Sequence, residues 1–376
     1  MCERVLILFL RTGGGHISAA KALKEEFDRR YGVETHLYNP ISDRDRFARF
    51  LIEKGYSRTS ARLRMCWPFV YEFSRFPAFV DFSLMLYSLV FGGKVRRYIR
   101  DNRITRVVSV HFLNGWLLSD IRRNKDTPSL KACTVVTDPF TAHPFWFRRR
   151  RFPAVVFSER LRQVAISQYG VDPRKIVVRP IILRREFQVR LGPEEIRQRK
   201  ESFGLRSNCP LVLLAGGGEG LSNGDRLLSE LVRSLLDFDI AVVCGHAEDL
   251  YARCSQIAQT VTNRCVKVYG FTDRMYDLMS SAEVIIAKAG PATVMEILLL
   301  RKPLIITSYM YGQERGNVDF VKRNRLGFFV QRPEGVREKV EHMLGEPDNL
   351  VAIQDNIDRI GITNGTELVA DHILKL

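Results

Sequence analysis

Two kinds of hydrophobic pattern alternate along this chain. Val5 to Leu10, Ile104 to Val110, Cys133 to Val136, Leu211 to Leu214, Ile240 to Cys244, Val284 to Ala287 and Leu304 to Ile306 are short runs with almost no polar position. Such runs are expected of strands in a parallel sheet covered on both faces. Between them, apolar residues recur at helical spacing. Examples are Ala19, Ala22, Leu23 and Phe27 from a start near Ser18, then Met275, Leu278, Met279 and Ala282, then Val294, Met295, Leu298 and Leu299. The alternation predicts an α/β chain built of strand–helix units on parallel sheets. In open sheets of this kind, the loops at the carboxyl ends of the strands face the ligand crevice.

Those loops carry the chemistry. Gly270-Phe271-Thr272 follows one strand, Lys288-Ala289-Gly290-Pro291 the next, and Gly312-Gln313-Glu314-Arg315-Gly316-Asn317 a third. The turn before Pro291 opens a helix, whose free N–H groups and positive end suit a diphosphate, with Gly290 allowing close approach and Lys288 nearby. Glu296, about a turn further on, can accept from both ribose hydroxyls, and Gln313, Glu314 and Asn317 form a donor and acceptor set suited to sugar hydroxyls. Each loop alone is an ordinary connection; together they read as a nucleotide-sugar site. Upstream, Ala215-Gly216-Gly217-Gly218-Glu219-Gly220 follows another buried run. Near the start, Gly13-Gly14-Gly15-His16 forms a glycine turn at a sheet edge, and a histidine at its mouth suits a general base. A dinucleotide fingerprint is not met: Ser18 stands where a third glycine would be, and the second strand ends in Asn39-Pro40.

The loops Thr12-Gly13-Gly14-Gly15-His16, Gly270-Phe271-Thr272, Ala287-Lys288-Ala289-Gly290 with Glu296, and Gly312-Gln313-Glu314-x-Gly316-Asn317 resemble glycosyltransferase family 28. The branch most similar is that of monogalactosyldiacylglycerol synthases and processive diacylglycerol glucosyltransferases. Thr141-Ala142-His143-Pro144-Phe145-Trp146-Phe147 also matches it. The resemblance implies a GT-B fold, two Rossmann-like domains with parallel sheets facing a central cleft. It implies an inverting, metal-independent transfer of galactose or glucose from a UDP-sugar, as substrate and with no cofactor, to a membrane lipid such as diacylglycerol. His16 would take the acceptor proton, with Gly14, Gly15, His111, Asp138 and His143 on the acceptor side. Gly217, Gly218, Phe271 near the uracil, Thr272, Lys288, Gly290, Thr293, Glu296, Gln313, Glu314 and Asn317 would hold the donor. Two departures stand out: Pro291 replaces a second glycine, and Phe112 replaces a proline after His111.

Charge changes the picture in one respect. The net charge is +16, and all of the excess lies in residues 1–190, with 36 basic against 17 acidic residues. Residues 41–93 interleave Arg44, Arg46, Arg49, Lys54, Arg58, Arg62 and Arg64 with Phe47, Phe50, Leu51, Tyr56, Leu63, Met65 and Trp67, and then become dense in apolar residues from Phe69 to Phe91. Basic plus aromatic suits an anionic membrane surface or nucleic acid; with the lipid acceptor in view, the membrane is expected and nucleic acid is not. The plain alternative for 69–91 is a pair of core helices. No uninterrupted apolar run is long enough to span a bilayer. Asp43-Arg44-Asp45 reads as a solvated turn rather than a metal motif. Seven cysteines without a C-x-x-C pair, and no leader pattern before Val5, fit a reducing cytoplasm and a protein peripheral on the inner face of the cell membrane. The expected division is 1–180 for the acceptor domain, 181–363 for the donor domain, and 364–376 as a helix crossing back. The rivals are a UDP-N-acetylglucosamine transferase acting on a lipid-linked acceptor and a nucleotide-sugar epimerase.

Overall fold

The computed structural model describes residues 3–54, 67–123, 130–148 and 152–376. Tyr56, Arg58, Arg62, Leu63, Arg64, Met65 and the run Arg149 to Arg151 lie outside the described residues, as do the side chains of Leu51, Lys54 and Trp67. The chain divides into two units: Met1–Arg184 with Met310–Gly316 and Asn364–Leu376, and Arg185–Tyr309 with Asn317–Thr363.

The first unit holds strands β1 (Arg4–Leu8), β2 (Glu34–Tyr38), β3 (Arg106–Ser109), β4 (Lys131–Val135), β5 (Ala154–Val156) and β6 (Ile176–Val178). Its helices are α1 (Gly14–Glu26), α2 (Trp67–Ser74), α3 (Pro77–Asp101), α4 (Asn114–Arg123), α5 (Glu159–Tyr169) and, from the far end of the chain, Thr366–Lys375. The sheet runs β2-β1-β3-β4-β5-β6, and each of its pairs is parallel. Strand order therefore reverses between β1 and β3, and the loops after those two strands flank a topological switch point, where α/β sheets bind ligands.

The second unit holds β7 (Leu211–Ala215), β8 (Asp239–Val243), β9 (Val266–Tyr269), β10 (Val284–Lys288), β11 (Leu304–Ser308) and β12 (Gly327–Phe329). Helices α6 (Pro193–Ser202), α7 (Gly224–Leu231), α8 (Glu248–Thr260), α9 (Met275–Ser281), α10 (Pro291–Leu299), α11 (Arg315–Arg323), α12 (Pro333–Gly345) and α13 (Pro347–Ile360) surround them, and Thr366–Lys375 is α14. The order β12-β11-β10-β7-β8-β9, again parallel, is that of a dinucleotide-binding sheet. Its switch point lies between β7 and β10. β7, β8 and β11 bury Leu211 to Ala215, Asp239 to Val243 and Leu304 to Ile306 almost completely, which is why their sequences carry no polar face.

Two sequence expectations are corrected here. The helix after β1 begins at Gly14 rather than near Ser18, so Gly14, Gly15 and His16 form its first turn. Glycine lowers helix propensity and so hid the start, yet a first turn needs only helical dihedrals and no intrahelical N–H bonds. The second correction concerns α3, which is long and apolar enough to cross a membrane by length and composition. Val80, Leu84, Tyr87, Phe91, Val95 and Ile99 on one side are buried, the last four of them in the core beneath the first sheet. The other side presents Phe82, Met85, Leu86, Leu89 and Val90 to the outside, with Leu89 73% exposed. From Phe79 to Phe91 both faces of the helix are apolar, and among the described residues only one of them is covered.

Candidate active site

In the first unit, the switch point is built around His16. The His16 Nδ1 lies 2.8 Å from the Val110 carbonyl oxygen and 3.0 Å from Thr137 Oγ1. A carbonyl can only accept, so Nδ1 carries the proton and Nε2 keeps its lone pair. Burial lowers the His16 pKa to about 4, opposed by the bond to Val110. The ring therefore stays neutral at physiological pH, with a basic nitrogen that makes no hydrogen bond among the described residues. Among the described residues, nothing lies within 4 Å of where a Cβ would stand on Gly13, Gly14 and Gly15, and no side chain caps α1.

The neighbouring histidines serve His16 and the scaffold. His111, fully buried, accepts from the Leu113 N–H at Nδ1 and so donates from Nε2 to Thr12 Oγ1 at 2.9 Å. Its ring meets His16 edge-on at 4.7 Å, and burial, with His16 beside it, holds its pKa well below the usual histidine range. His143 accepts from the Phe145 N–H at Nδ1 and bonds Ser74 Oγ through Nε2 at 3.0 Å, tying α2 to the loop after β4. Burial lowers its pKa to about 3. In both rings, both nitrogens are occupied.

Asp138 is buried and accepts from Trp146 Nε1 at 2.7 Å and, more loosely, from Gln313 Nε2 at 3.4 Å. Burial raises its pKa to about 7, opposed by those two bonds. The sign of the consequence is fixed. Between the unfolded value near 4 and the folded value, the native state holds a proton that the unfolded state has released. Stability from this group is complete below about pH 4 and declines up to about pH 7, by at most about 4 kcal/mol. The depressed histidines act in the opposite direction but are common to wild type and variant. Asp138→Asn should therefore gain stability relative to wild type as pH rises from 4.5 to 7.5. Urea unfolding at several pH values reads this difference, and parallel curves would mean that Asp138 titrates normally.

In the second unit, the loops after β7, β8, β9 and β10 form one cluster. A Cβ on Gly217 would stand 3.8 Å from Lys288 Cε, so the lysine side chain lies against that glycine. Gly245, at φ +60°, leaves no room for a side chain: a Cβ there would be 2.2 Å from the Gly218 carbonyl oxygen. That close approach lets the next N–H, of His246, bond the same oxygen at 2.7 Å. Helix α10 starts with Gly290 as its N-cap and Pro291 in its first turn, with no acidic residue there. Lys288, Gly217, Gly218 and the N–H groups of Ala292 and Thr293, which have no side-chain cap among the described residues, thus line one edge, suited to an anion. Beside it, Phe271 is 64% exposed and stacks on His246 at 4.5 Å and 10°. The pair forms an aromatic platform, and Thr272 Oγ1 holds its turn by accepting from the Arg274 N–H. Glu296 is buried on α10.

The third donor loop is divided. Met310–Gly316 belongs to the first unit, where the Gln313 carbonyl accepts from Thr141 Oγ1 at 2.6 Å and its amide reaches Asp138. Glu314 accepts from the Met310 N–H at 2.7 Å. Asn317 belongs to the second unit and bonds the Ala289 carbonyl oxygen. Asp45 bonds Ser42 and Lys94, while Asp43 pairs with Arg49, so the acidic turn is engaged with cations. Thr137, Trp146 and His246 are the site residues that sequence reasoning passed over. The available signals were a threonine closing a buried strand, a tryptophan eight residues after an aspartate, and a histidine after a glycine at a strand end.

Residues 213–356 match the glycosyltransferase family 28 C-terminal domain, and residues 16–181 match the monogalactosyldiacylglycerol synthase family. The chain is a glycosyltransferase, similar over these two stretches to family 28 and to the monogalactosyldiacylglycerol synthases. The spinach monogalactosyldiacylglycerol synthase is 28% identical over 93% of this chain and 68% of its own length; monogalactosyldiacylglycerol synthase 1 of Arabidopsis thaliana is 28% identical over 91% and 65%. Among solved structures, Acinetobacter baumannii MurG superimposes with a TM-score of 0.66 at 14% identity, covering both chains completely. The UDP-GlcNAc 2-epimerase of Neisseria meningitidis, bound to UDP-GlcNAc, gives 0.64 at 13%, covering 99% of this chain and 100% of its own. The transferase has the GT-B fold.

Proposed function

We propose that this transferase moves galactose or glucose from its UDP-sugar to diacylglycerol, with inversion and without a metal ion, as a peripheral protein at the cytoplasmic face of a membrane. The first unit is the acceptor half and the second the donor half. The observation that carries the lipid acceptor is α3, whose first half is apolar on both faces with one face uncovered among the described residues, in the unit that matches the monogalactosyldiacylglycerol synthase family. A transferase acting on water-soluble acceptors has no use for that stripe, whereas one that must reach a lipid hydroxyl does. Exposed Arg44 and Arg46, beside Phe47 at 78% exposure, add attraction to anionic headgroups.

The chemistry follows from the two loop clusters. His16 Nε2 accepts the proton of the acceptor hydroxyl as its oxygen bonds to the sugar C1 and the bond from C1 to the diphosphate breaks. The charge that develops on the leaving diphosphate is met by Lys288 and the N-terminus of α10, a fixed electrostatic stabilisation. The uracil lies on the Phe271 platform and the ribose against Glu296.

The test is product formation. Labelled UDP-galactose, UDP-glucose and UDP-N-acetylglucosamine are each incubated with diacylglycerol in mixed micelles, with and without EDTA. A hexosyl-diacylglycerol that forms equally in EDTA is the expected result. Turnover lost in EDTA and restored by Mg²⁺ would overturn the leaving-group assignment, and no product on diacylglycerol from any of the three would overturn the acceptor.

A further inference from the structure

Asn317 has the residue type of a sugar ligand, yet its bond is made elsewhere. It is 1% exposed, and its Nδ2 donates to the Ala289 carbonyl oxygen at 2.7 Å. Its Oδ1 makes no hydrogen bond among the described residues. From the other side, the Ala289 N–H donates to the Ser308 carbonyl oxygen at the end of β11, at 2.8 Å. Ala289 is itself fully buried. The residue before the α10 N-cap is thus gripped by both of its polar backbone groups.

The geometry of a peptide gives this grip a direction. The Ala289 C=O and the Gly290 N–H belong to one planar trans unit and point in opposite senses. Holding the carbonyl on Asn317 therefore aims the Gly290 N–H away from Asn317, and that N–H makes no hydrogen bond among the described residues. Pro291 has no N–H to offer. In this chain, Gly290 supplies the backbone donor next to the position that Pro291 leaves empty.

We infer that Asn317 is a positioning residue of the diphosphate site: it orients the Gly290 N–H toward the donor's phosphates and touches no sugar hydroxyl. This rests on the reading of the α10 N-terminus and Lys288 as the place where the diphosphate binds. A buried amide with a single bond, aimed at the turn that begins α10, is otherwise a poor use of a polar side chain, since burying an amide half-satisfied is costly. Asparagine is suited because its amide N–H reaches the carbonyl, whereas an aspartate of the same shape would repel it.

The test uses the full chain, with Asn317→Asp as the nearly isosteric variant and Asn317→Ala as the second. Calorimetry and competition measure the affinities for uridine, UDP and the UDP-hexose. The inference expects UDP to bind roughly ten-fold more weakly to both variants, with uridine unchanged, because the nucleoside is held by Phe271 and Glu296. Unchanged UDP affinity with weakened UDP-hexose would make Asn317 a sugar ligand and overturn the inference. Parallel loss of uridine and UDP with a lowered melting temperature would make it a packing residue only, which also overturns it. Lys288→Ala separates the underlying reading: if that variant too binds UDP normally, the α10 N-terminus is not the diphosphate site.

Discussion

Replacing His16 by Ala lowers kcat by about 10²- to 10⁴-fold, the usual contribution of a general base, and leaves UDP affinity where it was. The size follows from what the side chain offers. Its Nδ1 proton is fixed on the Val110 carbonyl, so Nε2 is presented as a lone pair without a rotamer search or a tautomer shift. Burial keeps the ring unprotonated well below neutrality. The specificity of the effect follows from the chain's division: His16 lies in the first unit, whereas Gly217, Phe271, Lys288 and Glu296 lie in the second. Single-turnover kinetics and UDP titration of the folded variant check both halves of the expectation. A matching loss of UDP affinity would turn His16 into a donor ligand.

The second large effect concerns the lipid surface. Phe82, Leu86 and Leu89 lie on the uncovered face of α3, at 58%, 49% and 73% exposure. Changing all three to Ser removes about 4 kcal/mol of apolar burial in a bilayer, on the order of a thousand-fold in partitioning, at about 25 cal/mol per Å². Wild-type protein should float with anionic vesicles at low salt, keep part of that binding at high salt, and bind neutral vesicles weakly. The triple variant should lose the salt-resistant part and keep its UDP affinity, since charge attraction is screened by salt and apolar burial is not. Equal flotation of variant and wild type at high salt would remove the stripe from the bilayer. A wild type that ignores anionic vesicles yet shifts a nucleic-acid probe would mean that the basic half binds something else.

Choosing those three residues required the structure. Read as sequence, Phe91 looks as good a candidate as Leu89, but Phe91 is 2% exposed and packs in the core. Periodicity reveals a buried face only when the opposite face is polar, and α3 gives no such contrast. The strands were legible for the complementary reason: parallel strands covered on both sides become unbroken apolar runs such as Val284 to Ile286, all fully buried. The loops that carry glycine, histidine and lysine at the strand ends were legible too, because their residue types are unusual where they stand. What local pattern could not supply is partnership through space. Thr137 meets His16 across 121 residues and Asn317 meets Ala289 across 28, and nothing in either neighbourhood announces the other. Asn317 could be recognised as a candidate by type, while the group it engages could not.

The placement of α14 bears on how the molecule is made. Val369, Ala370 and Ile373 are buried in the same core as Val5, Ile7, Leu23 and Phe27, and Arg106 Nη1 donates to the Ile373 carbonyl oxygen at 3.0 Å. Entry to and exit from the second unit are stitched together as Asn364 and Thr366 bond Leu183. On the ribosome, the half that is synthesised first is therefore completed last. Its sheet emerges early but waits, with one side of its core open, until the whole second unit has followed and the closing helix arrives. During that interval the nascent chain exposes an apolar groove lined by α1 and β1, so chaperone demand during synthesis falls on the early half rather than the late one.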